Sequence, residues 1–187
     1  MENKLTQDFF AYLEWERRYS QHTISSYKID LKQFTLFLKE VFDEEDLCQV
    51  DHHQVRAWVV FLMEKQLSKT SINRKISTIK VFYKFLLKRE LIIKNPTFKI
   101  NTLKKDKKLP EFVEERNITA LLDQLASYDS FEEIRDVLIL ELFYGTGMRL
   151  AELIGLREDD VRLPEKQLKV IGKGNKERWI PLNTTLL

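Results

Sequence analysis

A short stretch around Arg149 has the residue types that hold a phosphate. Gly145 and Gly147 permit a tight turn in the sequence Gly-Thr-Gly-Met-Arg-Leu-Ala-Glu. The turn would place Arg149 at the start of a helix, where its guanidinium and the terminal amides can converge on one phosphate. Glu152 follows one helical turn later and could orient a basic group. A helix–turn–helix corner with a surface arginine is the structural alternative.

A second candidate is Lys173, which lies between Gly172 and Gly174 in a predicted hairpin turn. A lysine at such a tip is usually only solvated. A long cationic arm on a stiff hairpin could also reach into the minor groove of DNA and give a proton to a leaving oxygen. Because an ordinary lysine has a pKa of ~10.4, this role requires surroundings that lower it.

Basic and short polar side chains occupy the outward faces of two predicted helices, over residues 23–41 and 68–89. They lie opposite the apolar stripes of those helices, and such side chains hydrogen-bond to phosphates and base edges. A solvated helix face is the alternative, which two such faces beside a basic linker disfavour. The candidate DNA-binding residues are Ser25, Lys28, Lys32, Thr70, Asn73, Arg74, Ser77, Lys80, Lys84, Lys104, Lys105, Lys107, Lys108 and Lys176, and Lys39 and Lys88 belong to the same two faces.

Other kinds of site find little support. A dinucleotide-binding loop is excluded because Leu150 stands where its third glycine is needed, and because a predicted helix precedes it. His52 and His53 are adjacent rather than spaced as metal ligands. Residues 158–160 are three carboxylates in a predicted loop, which is more typical of a solvated segment than of a metal-dependent nuclease. We predict no metal and no cofactor.

Charge divides the chain into two parts. The 187 residues carry a net charge of +2, which by itself indicates no partner. Residues 1–108 hold 21 basic and 14 acidic side chains and residues 109–187 hold 10 and 15, so the parts carry about +7 and −5. The first part is typical of a surface for phosphate backbones. The second part holds all five glycines and is typical of a site.

Composition bounds the class of protein. Twelve Phe and 43% hydrophobic residues exclude a disordered chain, and the single cysteine, Cys48, excludes an internal disulfide framework. No apolar run approaches the ~20 residues of a membrane span. The polar N-terminus has no secretory signal, so we predict a cytoplasmic protein.

Hydrophobic periodicity predicts an all-α bundle followed by a mixed segment. No Gly or Pro interrupts the first four predicted helices, and Thr23 is the predicted N-cap of the second. Further on, a period of two replaces the helical period and predicts a β-hairpin. The predicted helices cover about 6–18, 23–41, 53–65, 68–89, 114–125, 131–144 and 149–156, and the predicted strands cover 167–171 and 177–182.

These segments together resemble the tyrosine recombinases of the phage integrase family, most closely the bacterial Xer type. Residues 23–34 and 71–86 are similar to the family's core-binding domain. Residues 142–153, Leu-Phe-Tyr-Gly-Thr-Gly-Met-Arg-Leu-Ala-Glu-Leu, resemble the motif of the first catalytic arginine. Residues 170–178, Val-Ile-Gly-Lys-Gly-Asn-Lys-Glu-Arg, resemble the hairpin of the catalytic lysine. Their order and spacing are more specific than any single segment.

The resemblance implies a mainly α fold in two domains. A four-helix, SAM-like core-binding domain would cover residues 1–94. A basic interdomain linker would cover 95–110, between Asn95-Pro96 and Leu109-Pro110. Residues 111–187 would form the incomplete, α+β start of a catalytic domain that includes the hairpin.

The resemblance also implies strand exchange on DNA through a 3′-phosphotyrosine, without metal or cofactor. Arg149 would neutralise the scissile phosphate, Lys173 would protonate the departing 5′-oxygen, and Glu152 would support the geometry of the site. Double-stranded DNA and partner recombinase subunits are the implied partners.

The chain departs from the family pattern after the hairpin. The family continues with a His-x-x-Arg motif, a further His or Trp, and the nucleophilic Tyr, none of which occurs here. All six tyrosines precede the hairpin. We therefore expect this chain to bind DNA without cleaving it. Two alternatives stay open, a non-catalytic DNA-binding or regulatory module on the same scaffold and a helical protein–protein scaffold.

Overall fold

A computed structural model of the chain describes residues 4–104, 113–124, 130–172, 174–183 and 186. The chain divides into two units, Met1–Lys108 and Leu109–Leu187. The first is helical and the second combines helices with a small antiparallel sheet, so the predicted mainly α fold is confirmed. Within the described ranges, no helix is both long and apolar enough to cross a membrane.

Polar N-caps set where the helices of the first unit begin. Ser20 and Ser68 each accept a hydrogen bond from an amide of the following first turn, and Asp51 forms a capping box with Gln54. These caps satisfy backbone donors that have no partner within the helix. The elements are α1 (Lys4–Ala11), a π-helical turn (Tyr12–Glu16), α2 (Gln21–Phe42), α3 (His52–Glu64) and α4 (Lys69–Lys88).

Two element ends differ from the sequence prediction. Thr23 is not the N-cap of α2, because Ser20 accepts a hydrogen bond from the Thr23 amide at 3.4 Å and the helix begins at Gln21. The first predicted helix, over 6–18, is not continuous. Its α-helical part ends at Ala11 and the wider π-helical turn follows. Hydrophobic periodicity carries little information about the first and last turn of a helix.

The apolar stripes of α1 to α4 meet in one core. The ring centroid of Phe34 lies 4.8 Å from that of Trp58 and 6.4 Å from that of Tyr83. Phe9 packs edge-on against Phe82 with centroids 5.1 Å apart. All five side chains are fully buried, and edge-to-face ring packing adds to the gain from apolar burial. The predicted four-helix bundle is therefore confirmed.

Residues 95–104, which the sequence predicts as part of the interdomain linker, belong to the first unit and pack against its helical core. Thr97 and Ile100 are buried. The side chain of His52 lies against the same segment, with Nδ1 3.1 Å from the carbonyl oxygen of Pro96. Residues 105–110 lie outside the described residues.

The second unit contains three helices, a 3-10 turn and an antiparallel sheet of order β1-β2-β3 among its described residues. The predicted hairpin is confirmed, with Val170 opposite Arg178 and Gly172 opposite Lys176. The two-residue strand β1 was not predicted, because it is too short to show an alternating pattern. The elements are α5 (Glu115–Gln124), α6 (Phe131–Thr146), α7 (Leu150–Ile154), the 3-10 turn (Glu158–Asp160), β1 (Val161–Arg162), β2 (Gln167–Gly172) and β3 (Lys176–Pro181).

Candidate phosphate-binding site and nucleic-acid interface

A single left-handed residue connects α6 to Arg149. Gly147 has φ +60°, which glycine adopts without strain, and its amide donates to the carbonyl of Phe143 to close α6. Gly145 is still helical, so one glycine makes the turn rather than the predicted two. Met148 is then buried, and Arg149 follows with 72% of its side chain exposed.

The amide of Arg149 is not free to bind a phosphate, contrary to expectation. It donates to Glu152 Oε2 at 2.8 Å. Among the described residues, the guanidinium makes one hydrogen bond, from Nη1 to Glu152 Oε1 at 3.1 Å, and most of it is exposed. Because a guanidinium carries five N–H donors, most of them stay available. At this position the side chain, and not the Arg149 amide, is what the protein offers to an anion from solvent.

Glu152 is a buried carboxylate between two arginines, with 3% of its side chain exposed. Arg178 Nη1 donates to Oε1 at 2.7 Å and Nη2 donates to Oε2 at 2.8 Å, which is bidentate pairing. The hydrogen bonds from Arg178 first, and then those from Arg149, hold the pKa of Glu152 at about 2. Glu152 is thus ionised at neutral pH and holds both guanidinium groups.

Arg178 is a site residue that the sequence analysis did not identify. It is half-buried on β3, on the same face as Ile180, whereas Trp179 between them is exposed. The alternation of inward and outward side chains along β3 could have identified Arg178 from the sequence, because an arginine on the inward face of a strand needs an anionic partner. That partner, Glu152, lies 26 positions earlier in the sequence.

The glycines of the hairpin have different tasks. A Cβ at Gly172 would lie 3.2 Å from Glu152 Oε1 and 3.4 Å from Arg178 Nη1, so a larger residue here would crowd the ion pair. Gly174 has φ +77° and forms the turn. Lys173, the candidate proton donor, lies outside the described residues. Lys176 is exposed at the start of β3.

The candidate DNA-binding residues of the first unit are mostly exposed. On α2 they recur at steps of three and four, and on α4 they recur at steps of seven, three and four, so each set shares a helix face. Lys28 Nζ also lies 5.4 Å above the ring centroid of Phe10. The exposed residues are Ser25, Lys28, Lys32, Thr70, Ser77, Lys84 and Lys104, and Lys80 is half-buried. Lys105, Lys107 and Lys108 lie outside the described residues.

Asn73 has a structural contact in place of the predicted exposure. It is buried, with 8% of its surface exposed. Its Nδ2 donates to the carbonyl of Leu103 at 2.8 Å, and its Oδ1 accepts from the Leu103 amide at 2.7 Å. Both polar groups of the side chain are therefore used within the first unit. We remove Asn73 from the proposed DNA-binding residues.

Arg74 belongs to a buried polar cluster between α2 and α4. At its centre is Asp30, which is fully buried and accepts hydrogen bonds from Arg74, from Lys75 Nζ at 2.9 Å and from Thr78 Oγ1 at 2.9 Å. Lys75 Nζ also donates to Gln33. Arg74 itself stays 44% exposed. The cluster therefore anchors one basic side chain that still reaches the surface.

Lys39 and Lys88, on the same two predicted faces, are paired within the protein. Lys39 forms an ion pair with Glu45. Lys88 Nζ lies 3.4 Å from Glu16 Oε2 and 5.1 Å above the ring of Tyr12. Their charges are partly neutralised locally, which makes them matched controls for Lys32 and Lys84, which form no ion pair among the described residues.

The acidic stretch Glu158–Asp160 forms a 3-10 turn rather than a loop. Asp160 lies 3.3 Å from Lys169 Nζ. Among the residues that the structure describes, no three His, Cys, Asp or Glu side chains come together as metal ligands would.

Both units match the same family. Residues 6–90 match the phage integrase N-terminal SAM-like domain, and residues 111–187 match the phage integrase family. The chain therefore belongs to the phage integrase family of tyrosine recombinases, and the resemblance of its motifs to that family is confirmed.

Curated relatives are named as one kind of recombinase. The tyrosine recombinase XerC of Pediococcus pentosaceus is 38% identical over 173 residues, which is 92% of this chain and 58% of the relative. Tyrosine recombinase XerC of Staphylococcus carnosus is 38% identical over 179 residues, which is 96% of this chain and 60% of the relative. The chain thus spans about three fifths of the length of these relatives.

Solved structures share the fold at lower identity. A lambda integrase dimer bound to a COC′ core site has a TM-score of 0.71 at 16% identity, covering 95% of this chain and 58% of that one. The Tn1549 transposon integrase in complex with circular intermediate DNA has a TM-score of 0.64 at 18% identity, covering 96% of this chain and 61% of that one.

Proposed function

We propose that this chain binds double-stranded DNA and supplies part of the phosphoryl-transfer site of a Xer-type site-specific recombinase. One observation carries the proposal. In a chain of this family, the exposed guanidinium of Arg149 is held by the buried, ionised carboxylate of Glu152. A fixed cation facing solvent is what a phosphate-binding site requires.

In the proposed reaction a tyrosine oxygen attacks the scissile phosphorus, and the bond from phosphorus to the 5′-oxygen breaks. Arg149 stabilises the negative charge that builds up on the phosphate oxygens in the transition state. Lys173 gives a proton to the departing 5′-oxygen, and a 3′-phosphotyrosine remains. The tyrosine, the base that receives its proton, and the second arginine come from outside the 187 residues.

In the proposed complex the basic face of α2 and α4 binds the phosphate backbone. This face is defined by Ser25, Lys28, Lys32, Thr70, Arg74, Ser77, Lys80 and Lys84. We also assign DNA contacts to Lys104, which is exposed, to Lys176 on the hairpin, and, from the sequence alone, to Lys105, Lys107 and Lys108. Most residues of this face are basic, which favours contacts with the phosphate backbone of DNA. Such contacts position a protein on DNA without reading its base sequence.

Charge removal at single positions tests this face. Lys32→Gln and Lys84→Gln should each lower the salt dependence of DNA binding by about one phosphate contact, a slope change of about 0.9. Lys39→Gln and Lys88→Gln are the matched controls on the same helices, because both lysines are paired within the protein. Equal effects in the two sets would contradict a specific DNA-binding face.

A suicide DNA substrate, which traps a covalent intermediate, tests whether this chain binds DNA without cleaving it. Because no tyrosine of the chain follows the hairpin, we expect complex formation without a covalent protein–DNA adduct. Pediococcus XerC, assayed on its own DNA site, is the positive control for trapping. An adduct with this chain alone would contradict the proposal.

A second candidate function is a non-catalytic DNA-binding or regulatory module on the same scaffold. This second candidate is favoured by the positions of the tyrosines, because all six precede the hairpin. The two candidates differ in the reading frame after Leu187. A His-x-x-Arg motif followed by a tyrosine would favour the recombinase, and a stop codon would favour the module.

A further inference from the structure

The two arginines at Glu152 are not equivalent. Arg178 uses both terminal nitrogens on the two carboxylate oxygens, at 2.7 and 2.8 Å. Arg149 makes one side-chain hydrogen bond to the same carboxylate, at 3.1 Å. Its side chain is 72% exposed, against 41% for Arg178. Arg178 is thus the more firmly held of the two, and Arg149 is the more exposed.

We propose that Arg178 is a positioning residue that keeps the guanidinium of Arg149 available to the scissile phosphate. The inference rests on the proposed function of Arg149. In the absence of Arg178, both oxygens of Glu152 would lose a charged partner, and Oε2 would keep only the bond from the Arg149 amide. Each carboxylate oxygen can accept more than one hydrogen bond, and a guanidinium pairs with a carboxylate bidentately when it can. Arg149 would then turn onto Glu152, and the carboxylate would cancel its charge. Arg178 prevents this by occupying and neutralising Glu152.

The same ion pair joins the hairpin to the turn that carries Arg149. Arg178 lies on β3, Glu152 lies on α7, and Gly172 of β2 leaves the space in which they meet. Gly172 directly precedes Lys173 in the sequence. Arg178 therefore fixes the base of the hairpin against the element that presents Arg149.

Inorganic phosphate is the probe that tests the inference on this chain. It is titrated into the ¹⁵N-labelled protein while the side-chain Nε–H signals of Arg149 and Arg178 are followed by NMR. In the unsubstituted protein phosphate should shift the Arg149 signal. Arg178→Gln should weaken that binding by roughly tenfold, because Glu152 then competes for Arg149. Arg178→Lys should give an intermediate loss, because lysine keeps the charge without bidentate geometry.

A rescue separates positioning from a general structural role. Adding Glu152→Gln to Arg178→Gln removes the competing charge and should restore most of the lost phosphate affinity at Arg149. Arg162→Gln is the control, since Arg162 lies on the same sheet and stacks over Trp179 at 4.4 Å. Unchanged backbone amide signals of Leu168 and Val170 report that the second unit stays folded. If Arg178→Gln does not fold, Arg178→Lys takes its place in the comparison.

The outcomes also distinguish this inference from the proposed function. Salt-dependent DNA binding by the unsubstituted chain supports the function. If DNA binds but Arg178→Gln leaves phosphate affinity unchanged, or if the double variant stays as weak as Arg178→Gln, the inference is overturned and the function stands. If the Arg149 signal of the unsubstituted chain does not respond to phosphate, the inference is overturned as well. A flat salt response would overturn the function independently of the NMR result.

Discussion

In the first unit the large apolar side chains of four helices are buried together, whereas in the second unit α6 leaves several exposed. Phe34 and Trp58 have no exposed surface. Phe131, Ile134 and Leu138 follow each other at helical spacing on α6 and are 74%, 51% and 45% exposed. The first unit therefore draws its stability from apolar packing. The described part of the second unit has a smaller buried apolar cluster, formed by Met148, Leu168 and Val170.

Both units nevertheless bury one carboxylate that holds two cations. Asp30 binds Arg74 and Lys75 in the first unit, and Glu152 binds Arg149 and Arg178 in the second. Arg74 in the first unit and Arg149 in the second are the more exposed cations of the two clusters, at 44% and 72%. The comparison shows how a buried acid can present a basic side chain at a surface, once to a proposed DNA backbone and once to a proposed scissile phosphate.

The largest effect is expected from opening the apolar core of the first unit. Phe34→Ala should cost about 3–5 kcal/mol of that unit's stability, because it removes a ring packed against Trp58 and Tyr83. Urea unfolding followed by fluorescence and by amide NMR should show the transition of the first unit shifted, with the second unit's transition in place. A common shift of both would contradict the division into two units.

A comparable effect is expected at the buried acid. Asp30→Ala leaves Lys75 buried without a counter-charge and should cost about 3–5 kcal/mol. Glu40→Ala, an exposed acid on the same helix, is the control and should change stability by less than about 0.5 kcal/mol. Equal losses in urea unfolding would show that Asp30 is not the centre of the cluster.

The second unit should respond to acid through Glu152. The pKa of Glu152 is lowered from 4.5 to about 2, so the folded state favours its ionised form. Its contribution to stability is therefore complete above about pH 4.5 and is lost as the pH falls towards 2. Thermal unfolding from pH 6 to about pH 2 should show a steeper loss for the unsubstituted chain than for Glu152→Gln, which cannot ionise. Parallel curves would contradict the role given to Glu152.

The smallest effect is expected at the start of α2. Ser20→Ala removes the N-cap and should cost about 1 kcal/mol, whereas Thr23→Ala, within the first turn, should cost less. Urea midpoints of the two variants measure the difference. A larger loss of stability for Thr23→Ala than for Ser20→Ala would indicate that Thr23 is the N-cap, as the sequence pattern predicts.

Much of the fold follows from local sequence patterns. Apolar residues at steps of three and four predict the four helices of the first unit, and the glycines around Lys173 predict the hairpin. The motif around Arg149 also identifies an exposed guanidinium. These features depend on residues that are close in sequence, within about one or two helical turns. Hydrophobic periodicity carries information over that distance.

The polar pairs that complete the two surfaces could not be predicted in this way. Asn73 bonds to Leu103, 30 positions away, and Arg178 bonds to Glu152, 26 positions away. The packing of separate elements decides which polar side chains are buried. The sequence of one helical face of mixed polarity does not indicate which of its polar residues will be buried. Asn73 was therefore predicted to face DNA, and Arg178 was not identified.

The salt dependence of DNA binding tests the central claim most directly. The dissociation constant of the whole chain for duplex DNA is measured over a series of salt concentrations. If six or more basic side chains meet phosphates, the logarithm of the binding constant should fall with the logarithm of salt at a slope of about −5 or steeper. A slope near zero would contradict a DNA-binding role for the basic face of α2 and α4.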